Sequence, residues 1–167
     1  MIRPGTAADA EATARVQVET WQAAYAHILP RDRLMALSVE ERAGMHRLHP
    51  PLVAEVEGEV VGFVAVGRTH DQGGDGELYA IYVHPEHWGA GVGRALLEAG
   101  EQRLRELGHC VAHLWVLEDN PRARRFYELA GWVNDGATRP VTVFGVDVPE
   151  VRYSKKLSQA ASNARSM

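Results

Sequence analysis

The sequence reads Leu78-Tyr-Ala-Ile-Tyr-Val-His-Pro-Glu-His-Trp-Gly-Ala-Gly-Val-Gly-Arg-Ala-Leu-Leu97 at the point that decides its fold. The opening residues are aliphatic or aromatic, which is typical of a strand, and a proline follows them. Beyond the glycines, Leu96, Leu97 and Leu104 recur at helical spacing, and Gly108 closes the helix. The stretch therefore predicts a strand that passes through a glycine-rich turn into a helix.

The turn carries alternating glycines, Gly89, Gly91 and Gly93, directly before the helix. Small residues let backbone N–H groups point into one concavity at a helix N-terminus, where they attract phosphate. The alternative is that the glycines only make the turn tight. The Walker A pattern is absent, and the dinucleotide pattern Gly-x-Gly-x-x-Gly/Ala fails at Arg94 and Leu96. The turn therefore favours a phosphate-bearing ligand other than a P-loop nucleotide or a Rossmann dinucleotide.

The segments before this stretch predict helices followed by the start of a sheet. Apolar residues recur at helical spacing over residues 10–28, and residues 31–48 favour one or two further short helices. Residues 52–66 form two β-branched arms around a Glu-Gly-Glu turn, which predicts a β-hairpin.

The segments after it predict alternating strands and helices. Residues 110–117 predict a strand, and Asn120 with Pro121 starts a short helix that ends before Gly131. Extended patches near 141–146 and 150–156 predict two closing strands. We expect a single domain over residues 1–157 and a frayed, disordered tail over residues 158–167.

Composition narrows the classes of function. The chain has 167 residues and a formal net charge of -4, so it lacks the basic surface of a nucleic-acid binder. Its single cysteine, Cys110, excludes an intramolecular disulfide and fits a reducing cytoplasm. No cationic leader or membrane-length apolar run is present, so we expect a cytoplasmic protein without a membrane partner. His84 and His87 lack a third ligand at metal-binding spacing, so no metal is expected.

Three linked motifs identify a family resemblance. The glycine turn Trp88-Gly-Ala-Gly-Val-Gly93, the strand before it, and Asn120-Pro-Arg-Ala-Arg-Arg-Phe-Tyr-Glu-Leu-Ala-Gly-Trp132 together resemble the GCN5-related N-acetyltransferases. In that family Arg/Gln-x-x-Gly-x-Gly/Ala grips the pyrophosphate of acetyl-coenzyme A, and Asn-x-x-Ala-x-x-Phe-Tyr-x-x-x-Gly-Phe follows it. The resemblance spans roughly residues 2–156. Trp88 departs from it, because the family usually has Arg or Gln there.

The resemblance implies an α/β (α+β mixed) fold, with a mostly antiparallel sheet of six to seven strands flanked by helices. Its central strands are expected to splay, so that the pantetheine arm of acetyl-CoA lies between them and bonds exposed backbone. The residues expected to hold this cosubstrate are Ile81, Val83, Trp88, Gly89, Ala90, Gly91, Val92, Gly93, Arg94, Asn120 and Tyr127.

The same resemblance implies the groups that act on the thioester. The backbone N–H of Val83 is expected to polarise the thioester carbonyl and stabilise the oxyanion, and Tyr127 to protonate the departing thiolate. On periodicity alone Tyr127 would be a core aromatic beside Phe126. Asn120 is expected to contact pantetheine, or only to cap its helix.

The amine that attacks must lose a proton, and Glu77 is our first candidate to accept it, directly or through water. Glu77 and Val83 lie an even number of residues apart on one strand, so both should share a face unless a bulge intervenes. Tyr79, on the same face, is expected to position the acceptor or hold water. The alternative is that Glu77 is a solvated carboxylate at a strand edge.

The acceptor pocket is expected beside the first helix, where Trp21 and Tyr25 lie four residues apart and form an aromatic wall, or else simply pack in the core. The expected activity is transfer of acetyl from acetyl-CoA to a primary amine within a ternary complex. The acceptor is a small-molecule amine, or alternatively a peptide presenting its N-terminus or a lysine. A coenzyme A-binding sensor without catalysis is the other alternative, and dimers common in the family leave a homodimer open.

Overall fold

The computed structural model describes residues 1–71 and 75–157. The helices are α1 (Ala10–Ala24), α2 (Arg31–Met35), α3 (Val39–Leu48), α4 (Val92–Glu106) and α5 (Pro121–Leu129). The strands are β1 (Ile2–Pro4), β2 (Leu52–Val56), β3 (Glu59–Arg68), β4 (Gly76–Val83), β5 (Val111–Leu117), β6 (Val133–Arg139), β7 (Thr142–Val143), β8 (Val146–Asp147) and β9 (Glu150–Lys156). The predicted tail at 158–167 lies outside the described residues.

The main sheet has seven strands in the order β1-β2-β3-β4-β5-β9-β6, and β7 with β8 forms a separate short hairpin. All neighbours in the main sheet are antiparallel except β4 and β5. This mixed, mostly antiparallel architecture confirms the predicted fold class.

The β4–β5 pair splays. Its ladder holds only Gly76 with Ala112 and Glu77 with His113, although β4 continues to Val83 and β5 to Leu117. The two strands therefore diverge and leave a gap in the middle of the sheet, as the resemblance implied.

Helices cover both faces of the sheet. On one face Leu96, Leu97 and Leu104 of α4 are fully buried and pack in the largest core cluster. On the other face Val16 of α1 packs with Phe63 of β3. We refer below to the α4 face and the α1 face of the sheet.

A bulge in β4 overturns the expectation that Glu77 and Val83 share a face. Leu78 pairs with Val66 and Ala80 pairs with Ala65, so Tyr79 is an extra residue without a partner on β3. Leu78 and Val83 both pack on the α4 face, whereas Ala80 packs on the α1 face. Because one additional residue reverses the alternation, Glu77 lies on the α1 face and Val83 on the opposite one.

Two predicted boundaries also change. The first helix ends at Ala24, although apolar residues continue at helical spacing to residue 28, and the patch near 141–146 forms only the short β7–β8 hairpin. Strand β6 was not predicted, because Asn134, Asp135 and Gly136 are turn-forming residues. Gly136 has a positive φ of 88° where the β6–β9 register shifts, so the strand is interrupted by an irregularity.

None of the helices in the described parts of the chain is both long enough and apolar enough to cross a membrane.

Candidate active site

One large cleft of about 900 Å³ opens where β4 and β5 diverge. The glycine turn lines one end of it, α5 lines one side, and residues of α1 lie across the α1 face. The site residues predicted from the sequence that line it are Trp21, Tyr25, Tyr79, Ile81, Val83, Trp88, Gly89, Gly91, Gly93, Arg94, Asn120 and Tyr127. Ala90, Val92 and Glu77 do not line it.

The backbone of Val83 faces the gap between the strands. His84 N–H donates to the Val61 carbonyl at 2.8 Å, so His84 and Val61 form a hydrogen-bonded pair of the β3–β4 ladder. Antiparallel pairs alternate between bonded and non-bonded, so the neighbouring pair, Gly62 with Val83, is of the non-bonded kind. The N–H and C=O of Val83 therefore point away from β3, toward β5, and the same holds for Ile81 two residues earlier.

Two side chains bind the carbonyl oxygen of Val83. The Trp88 indole Nε1–H donates to it at 2.6 Å, and Thr20 Oγ1 donates to it at 3.2 Å. Trp88 thus ties the start of the glycine turn to the end of β4. The Arg122 guanidinium lies 4.0 Å from the centre of the Trp88 ring, which is a cation–π contact.

The glycine turn has the backbone that only glycine adopts easily. Gly89 and Gly91 have φ of 80° and 85°, and Gly91 is the residue before the first turn of α4. A Cβ on Gly93 would lie 3.3 Å from Phe126 of α5, so this glycine also permits close packing. The free N–H groups of the 15-residue α4 meet the cleft here, which favours a bound anion.

Helix α5 carries the two remaining motif residues. Asn120 Oδ1 accepts from the Ala123 N–H at 3.1 Å, so Asn120 caps the helix as the capping alternative predicted. Tyr127 is buried beside the rings of Phe126 and Trp132 and still lines the cleft. Burial raises the pKa of its phenol, so the group stays protonated over the whole physiological range.

Glu77 lies in a buried polar cluster behind the cleft wall. Thr69 Oγ1 donates to Glu77 Oε1 at 3.0 Å and lies 2.9 Å from Nε2 of His113. That Nε2 is 3.3 Å from Glu77 Oε1 and 3.2 Å from Asp71 Oδ2. The Trp115 indole donates to Asp71, and this hydrogen bond lowers the pKa of the carboxyl. Glu77 is therefore neither a solvated edge carboxylate nor a wall residue.

This cluster has the donor types of a metal site. Ligand atoms of Asp71, Glu77 and His113 all lie within 4.8 Å of one another. From the sequence no metal was expected, because His84 and His87 lack a third ligand at metal-binding spacing. The residues that converge are instead contributed by separate segments that only the fold brings together.

The aromatic residues Trp21 and Tyr25 both line the cleft, with ring centroids 5.0 Å apart in an edge-to-face arrangement. Burial raises the pKa of the Tyr25 phenol. The indole Nε1 of Trp21 is buried and has no hydrogen-bond partner among the described residues. An unsatisfied buried donor destabilises a folded protein unless water or a ligand binds it.

The lining residues that were not predicted from the sequence include Tyr82, Trp115, Arg139 and Glu150. Arg139 Nε donates to Glu150 Oε1 at 2.7 Å, and its guanidinium lies 4.3 Å from the Trp115 ring centre. No local motif marks these residues, because they lie on four different strands. Only the order of the strands brings them to one place.

Comparison with known proteins agrees with the geometry. The sequence model of the family described as Acetyltransferase (GNAT) matches residues 12–132. The uncharacterized N-acetyltransferase YuaI of Bacillus subtilis is 37% identical over 126 residues, which are 72% of this chain and 73% of that protein. The mycothiol acetyltransferase of Sanguibacter keddieii is 42% identical over 85 residues, which are 48% of this chain but only 27% of that protein.

Solved structures show the same architecture. The structure of yncA from Salmonella typhimurium, determined with its cofactor acetyl-CoA, is 25% identical in sequence and superposes with a TM-score of 0.70. The alignment covers 96% of this chain and 95% of that one.

Proposed function

Because the chain belongs to the GNAT family of acetyltransferases, we propose that it transfers acetyl from acetyl-coenzyme A to a primary amine by direct attack in a ternary complex. One observation carries the proposal: a single cleft joins the glycine turn, the backbone edge of β4 and the Tyr127 phenol. Acetyl-CoA, in which the pantetheine arm links a pyrophosphate to a thioester, matches this order.

The cosubstrate binds along the gap between the strands. The pyrophosphate lies on the N–H groups of the glycine turn, Gly89 to Arg94, where the α4 dipole favours negative charge. The pantetheine arm bonds the backbone of Ile81 and Val83, which points toward the gap. Asn120 borders the arm on the α5 side.

Acetyl transfer is a substitution at the thioester carbonyl carbon. The amine nitrogen attacks this carbon, and the Val83 N–H stabilises the negative charge that develops on its oxygen. The C–N bond forms, the C–S bond breaks, and the thiolate of coenzyme A takes the phenolic proton of Tyr127. Solvent then returns a proton to the phenolate.

Glu77 is proposed to accept the proton that the amine loses, through intervening water. Glu77 and Val83 are six residues apart on β4, or roughly 20 Å along an extended chain. Glu77 does not line the cleft, so direct contact with the amine is not its role. The Thr69 hydroxyl donates to Glu77, and His113 Nε2 lies 3.3 Å from it. These two side chains can pass a proton onward from the carboxylate.

Release of free thiol tests the proposal. Wild type is mixed with acetyl-CoA and a panel of polyamines, aminoglycosides, amino acids and short peptides. Tyr127→Phe is expected to lower kcat by about 10²-fold, because general acid catalysis is lost, while acetyl-CoA affinity measured by calorimetry stays unchanged. Tyr153→Phe is the matched control, since it removes a neighbouring buried hydroxyl outside the cleft lining.

Equal kcat in wild type and Tyr127→Phe would remove Tyr127 from the mechanism. Retained acetyl-CoA binding without thiol release for any amine would instead favour the coenzyme A-binding sensor.

A further inference from the structure

The part of the cleft on the α1 face is walled by Trp21, Tyr25, Tyr82 and Trp115, and we call it the acceptor chamber. Burial raises the pKa of both Tyr25 and Tyr82, so their phenols stay neutral at physiological pH. Rings of this kind attract cations over their faces. They also exclude the water that would otherwise solvate a charged ligand.

Glu150 is the only carboxylate among the described residues that line the cleft. It opens β9 opposite Leu117 of β5. Leu117 packs with the cluster around Trp21 and Tyr25, so Glu150 lies at the same end of the chamber.

Only one of the two Glu150 carboxylate oxygens accepts a hydrogen bond from the described residues. Arg139 Nε donates to Oε1 at 2.7 Å, and Oε2 accepts no hydrogen bond from the parts of the chain that the structure describes. The Glu150 side chain is 16% exposed, so a partner bound to Oε2 would be shielded from water. Stacking on Trp115 fixes the Arg139 guanidinium and therefore the carboxylate that it binds.

We propose that Glu150 binds the ammonium group of the acceptor, whose apolar or aromatic body packs against the rings of the acceptor chamber. This inference rests on the proposed function and adds the chemical class of its substrate, a primary amine without a carboxylate next to the nitrogen. A charge-assisted hydrogen bond to a fixed, shielded carboxylate is among the stronger polar contacts in proteins. Glu77, behind the wall, makes no such contact, so the two carboxylates have different roles.

Calorimetry of 2-phenylethylamine against the protein saturated with coenzyme A tests this without relying on turnover. Glu150→Gln keeps the shape of the side chain and removes its charge, so the amine Kd is expected to rise at least 10-fold. Arg139→Met removes the same ion pair from the other side; the carboxylate loses its anchor but keeps its charge, so the Kd is expected to rise much less than in Glu150→Gln. Glu106→Gln, an exposed carboxylate paired with Arg103 on α4, is the matched control and should change nothing.

An equal rise in Kd for Glu150→Gln and Arg139→Met would show that the ion pair only stabilises the local structure and that Glu150 does not bind the amine. That result would overturn the proposal. Phenylalanine, which adds a carboxylate to the same body, is expected to bind at least 10-fold more weakly than 2-phenylethylamine. Tighter binding of phenylalanine would place a carboxylate on Arg139 and would also overturn it.

Steady-state kinetics separates this inference from the proposed function. In Glu150→Gln the KM for 2-phenylethylamine is expected to rise while the KM for acetyl-CoA is unchanged. If wild type acetylates other amines but does not bind 2-phenylethylamine, the inference fails and the proposed function stands. If wild type binds 2-phenylethylamine through Glu150 but releases no thiol with any amine, the proposed function fails and the binding site stands.

Discussion

Trp88 replaces a polar residue of the family motif with an aromatic one that still donates a hydrogen bond. Its indole N–H binds the Val83 carbonyl, and the face of its ring carries the Arg122 guanidinium. A cation is therefore present beside the glycine turn even though position 88 itself has none. We expect this arrangement to contribute to the binding of the cofactor phosphates.

Trp88→Phe separates the hydrogen bond to Val83 from the cation–π contact with Arg122, because it removes the indole N–H and keeps an aromatic ring. Loss of this intramolecular bond is expected to lower the free energy of unfolding by about 1 kcal/mol. Because the turn is then held less firmly, the Kd of coenzyme A is expected to rise, by at most about fivefold. Arg122→Gln is expected to raise the Kd further at low salt than at high salt, since charge on phosphate is screened. Calorimetry measures both.

Arg103→Gln is the control for the arginine variant, because Arg103 is an exposed residue paired with Glu106 on α4. Unchanged affinity in both Trp88→Phe and Arg122→Gln would show that the backbone N–H groups alone hold the phosphates.

Glu77 shows how far a single residue can be understood from sequence. Its type and its place on a strand suggested a proton acceptor. Its surroundings, Thr69 and His113, come from the segment after β3 and from β5. They bury the carboxylate and keep it off the cleft wall, which the sequence did not predict.

At the scale of elements, the β4 bulge decides which strand residues reach the cosubstrate and which reach the acceptor chamber. Tyr79 occupies the bulge, and its hydroxyl donates to the Arg68 carbonyl. Gly67 makes room for it, because a Cβ there would lie 2.7 Å from that hydroxyl. The bulge lets one strand present Val83 to the gap and Tyr82 to the chamber.

The turn between β4 and α4 depends on left-handed backbone at Gly91, so Gly91→Ala is expected to destabilise the protein by about 1–2 kcal/mol. Coenzyme A affinity should fall as well, because the N–H groups of the turn are displaced. Gly44→Ala is the matched control. Gly44 lies within α3, has no atom within 4 Å of a new Cβ, and is expected to gain up to about 1 kcal/mol.

Urea denaturation of both glycine variants measures the free energy of unfolding. A Gly91→Ala protein as stable as wild type would mean that the turn tolerates another conformation.

At the scale of the whole molecule, the sheet is incomplete where β4 and β5 diverge, and the cosubstrate is expected to bridge them. Ligand that binds only the folded state stabilises it by about 2.7 kcal/mol at a concentration of 100 Kd. For a chain of this length, Tm is expected to rise by roughly 5–10 °C. Differential scanning calorimetry with and without coenzyme A measures the shift.

Hydrogen exchange locates this stabilisation. Amides of Ile81 and Val83 are expected to gain protection when coenzyme A is bound, whereas those of the outer strands β1 and β2 should change little. Protection confined to the helices would contradict a ligand that bonds the edge of β4.

The sequence by itself determined most of the elements and the family. Glycine spacing, the strand before it and the Asn120 to Trp132 helix are local patterns, and local backbone preferences are enough to specify a strand, a turn and a capped helix. The expected residues of the cofactor end, from Ile81 to Tyr127, mostly do line one cleft, because they lie within these contiguous motifs.

Only the tertiary structure decided the acceptor side. The bulge in β4 decides which face of the sheet the Glu77 side chain lies on. Glu150, Arg139 and Trp115 meet because β9 lies between β5 and β6. Strand order and register come from packing across the sheet, which brings together residues far apart in sequence and leaves no periodic signal within any one segment. The residues expected to bind acetyl-CoA could thus be predicted from the sequence, whereas those of the acceptor chamber mostly could not.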